Sequence, residues 1–158
     1  MMLSNHSLQR ENKAYTNDPF KKLSIQDALI LVTVWAATLD SDNLQKKAKR
    51  ITDLAQREKL FQESEKTTLK RVHKYLNSLK HKKDKDSEIG LASRSLPQKY
   101  RTKAFAWATD IIVMGGEVNE DTLKPLYGLY YKLGIEEKSA RDIIRKTIVK
   151  HRASVNSM

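Results

Sequence analysis

Residues 23–40, LSIQDALILVTVWAATLD, decide between an all-helical chain and a mixed one. The centre of this stretch, LILVTVW, is rich in β-branched residues, which suit strands. A half-buried strand also needs strict alternation of apolar and polar positions, and that is missing here. Instead Ile25, Ala28, Leu29, Val32, Trp35, Ala36 and Leu39 recur at helical spacing and form one apolar stripe. Ser24 stands where a hydroxyl accepts from first-turn amides, and Asp27 stands where a capping box places a carboxylate. The stretch predicts a helix.

The same period continues along the chain. Leu44, Ala48, Ile51, Leu54 and Ala55 give a second helix with its lysines outward. A third runs from Ser64 to about Leu79 on Leu69, Val72, Leu76 and Leu79. Residues 80–97 break the period with Ser87, Gly90, Ser93, Ser95 and Pro97. They read as a surface connection with a short helical turn near Ile89 to Ala92.

Pro97 suits the first position of a fourth helix, whose buried side is Ala104, Phe105, Ala108, Ile111 and Ile112, with Trp107 at its edge. Leu123, Leu126, Tyr127, Tyr130 and Tyr131 make the fifth. It ends at Gly134 as a left-handed cap, and a cap at Asp121 or Thr122 puts Pro125 in its first turn. The sixth, from Glu136 to His151, turns Ala140, Ile143, Ile144, Thr147 and Ile148 inward.

A shift of 75 places Ala48 on Leu123, Ile51 on Leu126, Leu54 on Leu129, Leu60 on Ile135 and Leu69 on Ile144. That register persists across two joints, which predicts a duplicated three-helix unit. The expected fold is an all-α single helical-bundle domain of about six main helices. Its similar halves are residues 23–79 and 98–151, joined by connector 80–97. A polar leader (1–20) precedes the domain (21–152), and a tail (153–158) follows.

Composition narrows the function classes. Three Pro and five Gly among 158 residues fit long helices with short joints, and the absence of Cys excludes disulfide and thiolate chemistry. No segment approaches the ~20 apolar residues of a membrane span, and the leader MMLSNHSLQRENKAYTNDPF lacks a signal-peptide apolar run. A cytoplasmic protein is expected. The formal net charge of +11 draws the chain toward anionic surfaces. That charge is spread evenly, with 14 basic against 9 acidic residues in 1–79 and 16 against 10 in 80–158. The run KHKKDKD at 80–86 reads as a solvated connector.

No catalytic constellation emerges. His6, His73, His81 and His151 have no short ligand spacing, and Gly115–Gly116 lacks the flanking residues of a phosphate loop. Gly116 is expected to end the fourth helix in a left-handed conformation. Two joints are rich in oxygen donors: Asp40, Asp42 and Asn43 in one, and Glu117, Asn119, Glu120 and Asp121 in the other. Neither has EF-hand spacing, and acidic residues before a helix also serve its dipole. Asp40, Asp42, Glu117, Glu120 and Asp121 are thus weak metal candidates.

Lys46, Lys47, Lys49 and Arg50 cluster after the first joint, while Lys99, Arg101 and Lys103 open the fourth helix. These seven are the candidate anion contacts, for nucleic-acid phosphates or an anionic membrane surface. Tyr127, Tyr130 and Tyr131 either face a homodimer or protein partner, where tyrosine is favoured, or fill the core beside Phe105 and Trp107.

Residues 104–144, AFAWATDIIVMGGEVNEDTLKPLYGLYYKLGIEEKSARDII, resemble the TerB-like family of tellurite-resistance proteins. Gly116 and Val118 stand at the family's Asp-Gly-x-Val joint, and Leu133, Gly134 and Ile135 at its closing motif. The first half matches more loosely, with Asp40 and Ser41 for Asp-Gly. The resemblance implies an all-helical fold of two similar halves and a bacterial tellurite or stress-response setting. The family's metal-associated acidic positions fall on Asp40, Lys47, Gly115 and Thr122, of which only Asp40 is a carboxylate. The resemblance therefore implies no family-type metal site. The expectation is a non-catalytic interaction or scaffolding module with no cofactor, whose partners are proteins. Nucleic-acid or anionic-membrane binding is the alternative.

Overall fold

The computed structural model describes residues 22–115 and 117–156, and all regular elements among them are helices. There are seven: α1 (Ile25–Ala37), α2 (Leu44–Gln56), α3 (Glu65–Lys80), α4 (Asp86–Ser95), α5 (Gln98–Val113), α6 (Glu120–Leu133) and α7 (Glu137–Asn156). The leader, His6 and Gly116 lie outside the described residues.

Helix α1 begins as read, with Ser24 Oγ accepting from the Asp27 amide at 3.1 Å. The Asp27 carboxylate takes a longer-range partner, Arg71 of α3. The single stripe expected of α1 is wrong. Every residue from Ala28 to Ala37 is buried, including Ile30, Leu31, Thr33 and Val34, while Leu39 lies past the helix and is 43% exposed. A helix apolar all round is enclosed all round. The Thr33 hydroxyl satisfies itself within the helix by donating to the Leu29 carbonyl at 2.7 Å.

Helix α1 packs most extensively on α5, and the two form the central pair. Helices α2 and α3 flank α1, α6 and α7 flank α5, and α4 bridges α1 and α6. One contiguous buried cluster draws on all seven helices. Trp107 belongs to it rather than to an edge, with its ring centroid 6.1 Å from that of Phe61.

The stretch read as a connector contains α4, a ten-residue helix that buries Ile89, Leu91, Ala92 and Ser95. Its serines are ties rather than loop markers. Ser95 Oγ accepts from the Leu23 amide at 2.7 Å and donates to the Leu91 carbonyl, and Ser93 Oγ donates to the Lys132 carbonyl.

At α6 the cap is Asn119, whose side chain accepts from the Thr122 amide. This earlier start moves Pro125 beyond the first turn, inside the helix. Gly134 ends α6 at φ 68°, with its amide donating to Tyr131 and that of Ile135 to Tyr130, a Schellman closure. Helix α7 continues beyond His151 to Asn156.

Candidate functional site

The joint between α1 and α2 is built around a lysine. Lys47, expected outward, is only 6% exposed. Its Nζ donates to the Ala37 carbonyl at 3.3 Å and the Asp40 carbonyl at 2.7 Å. Ala37 is the last residue of α1, where carbonyls outnumber amides and a cation is favourable, and Asp40 lies in the turn just beyond it. Asp40 turns its carboxylate the other way, to the Asp42 amide at 3.0 Å. Asn43 enters α2 in the left-handed region at φ 58°, which asparagine tolerates better than most residues.

The joint between α5 and α6 is organised by hydrogen bonds of Thr122. Its hydroxyl engages the Glu117 carbonyl and the Asn119 side chain. Glu117, Glu120 and Asp121 are exposed around it. Among the described residues, no group of three or more His, Asp or Glu side chains is arranged to hold a metal ion.

The seven basic candidates divide. Lys47 is committed to the joint, and Lys103 pairs with Glu58. Arg101 donates to the Leu96 carbonyl, and Lys49 pairs with Asp53 at 3.6 Å. Lys99 lies over the Tyr100 ring, 5.0 Å from its centroid. Lys46 is exposed. Arg50 leaves the others for a buried partner.

The tyrosines divide too. Tyr130 packs against the core, whereas Tyr127 and Tyr131, one helical turn apart, are 39% and 82% exposed.

Arg50 of α2 meets Asp110 of α5 in a bidentate pair, Nε to Oδ1 at 2.9 Å and Nη2 to Oδ2 at 2.8 Å. Asp110 is buried inside a largely apolar helix. Burial alone pushes its carboxyl up, but the Arg50 hydrogen bonds and charge, helped by His151 and Lys150, hold it below the ordinary aspartate value. His151 of α7 approaches from the other side, with Nε2 3.6 Å from Asp110 Oδ1. That nitrogen is shut off from solvent and has no hydrogen-bond partner. Three helices thus converge on one carboxylate. Sequence reading missed Asp110, although a carboxylate inside AFAWATDIIV signals that a cation must come to meet it.

Beside this junction, Arg50, Arg57, Met114, Lys150 and His151 line an open groove of about 370 Å³. No family model, curated protein or solved structure matches the chain.

Proposed function

We propose that the chain is a non-catalytic interaction module of TerB-like architecture, acting in a bacterial tellurite or stress response. The observation that carries the interaction reading is the outward pair Tyr127 and Tyr131 on α6. Large rings held in water on a helix face are the residue type favoured in the centre of protein interfaces.

The TerB-like and duplicated architecture has its own support. Shifted by 75, the bounds of α1 fall at 100–112 within α5, those of α2 at 119–131 beside α6, and those of α3 at 140–155 within α7. Helix α4 has no counterpart. Lys47 supports an ion-free joint, because its ammonium already supplies positive charge to the Ala37 and Asp40 carbonyls.

Sedimentation of the wild type and Tyr131→Glu, followed by affinity capture with both, tests the tyrosine face. A dimer or a captured partner lost in the variant is the expected result. Identical behaviour of the two proteins overturns the assignment. Calorimetry with Ca²⁺ and Mg²⁺ tests the joint, where stoichiometric micromolar binding defeats the ion-free reading.

The formal net charge of +11 favours a second reading, an anionic surface as the partner. It predicts flotation with anionic vesicles or a shift of duplex DNA at low salt, each abolished by added salt.

A further inference from the structure

The groove beside Asp110 holds more positive charge than the fold uses. Arg50, Arg57 and Lys150 carry three charges against the one of Asp110; Asp53, whose charge also reaches Arg50, is matched by Lys49, which leaves a surplus of two. Arg50 spends Nε and Nη2 on Asp110. Among the described residues, the Arg57 and Lys150 side chains have no hydrogen-bond or ion-pair partner, and Lys150 acts on Asp110 only through its field.

Dipole compensation explains part of this. Helices α2 and α5 end at the groove, at Gln56 and Val113, and cations suit such ends. It does not explain why α7 adds Lys150 and His151 to the same place, nor why His151 Nε2 is sealed without a hydrogen-bond partner. Like charges gathered from two helices repel unless an anion joins them.

We propose that this groove is a binding site for a phosphate monoester dianion. A surplus of two charges matches a dianion better than a single carboxylate or one phosphodiester. The guanidinium groups of Arg50 on α2 and Arg57 just past its end, with the ammonium of Lys150 on α7, offer several donors, as a tetrahedral group with several acceptor oxygens requires. His151 lines the groove beside Asp110 of α5, together with Arg50 of α2, Arg57 just past its end, and Lys150 of its own helix. The site is separate from the tyrosine face and stands whether or not that face binds a partner.

The test is an NMR titration of the full chain with phenyl phosphate at low salt. Sulfate serves as a second dianion probe. We expect saturable shifts centred on Arg57, Lys150 and His151, with the His73 and His81 rings unmoved. Arg57→Gln with Lys150→Gln, both at exposed positions, weakens binding by about tenfold or more. Absence of saturable binding overturns the proposal, as does binding that the double substitution leaves unchanged. Preference for a phosphodiester oligonucleotide over phenyl phosphate at these same residues also overturns it, in favour of a nucleic-acid groove.

Discussion

Asp110 illustrates how a single side chain is fixed by its surroundings. With Arg50 present its charge is matched by two hydrogen bonds, and without Arg50 it is a buried carboxylate with only neighbouring fields to hold it. Arg50→Met should therefore destabilise the fold by about 3 kcal/mol in urea unfolding, and Arg50→Met with Asp110→Met should recover much of that loss. Because the folded carboxyl lies below its ordinary value, its contribution is complete above the unfolded value of about 3.9. It fades as pH falls from there through the lowered folded value. Stability measured down that range should fall more steeply in the wild type than in Asp110→Asn. Tyr75 behaves oppositely. Burial first, then the negative charge of Asp27, pushes its phenol up, so its contribution is present below about pH 10 and lost as pH rises further. An ultraviolet tyrosinate titration should show a late-ionising component that Tyr75→Phe removes. At this scale the sequence was least legible. Arg50 and Lys47 read as surface cations because nothing local reveals that a carboxylate 60 residues away, or the end of the preceding helix, will claim them.

Helices were more legible than side chains, and the failures have physical causes. The cap marks where helix α1 begins, but spacing understates its buried width because an enclosed helix has no polar face to mark where burial ends. Helix α4 is masked in the sequence because Ser87, Gly90, Ser93 and Ser95 interrupt its apolar positions. Ile89, Ala92 and Leu96 do recur three and four apart, and all are buried. Ile89→Ala should cost about 3 kcal/mol, far more than a surface connector allows, as measured by chemical denaturation. The end of α6 is legible because a glycine after LYYKL signals a left-handed residue. Gly134→Ala should cost about 1 kcal/mol through backbone strain, since a methyl group there meets only an ordinary contact, the Arg101 guanidinium at 3.5 Å.

The whole molecule rests on the central pair of α1 and α5, to which the other helices attach. Residues 22–83 alone would leave the α5-facing side of α1 in water. That fragment should show no cooperative thermal transition, and mixing it with residues 84–156 should restore helical circular dichroism. The all-helical class and the order of the main helices could be read from hydrophobic spacing, whereas the convergence of α2, α5 and α7 on Asp110 could not, because it depends on how the elements pack. The buried lysine at the first joint has a practical corollary. Among the described residues the other lysines are partly or fully accessible, so a dilute amine-reactive label should modify them first. Lys47 should acquire the label only when the chain transiently opens there. Its rate of modification, followed by peptide mass spectrometry, would then serve as a clock for that opening in a protein otherwise left native.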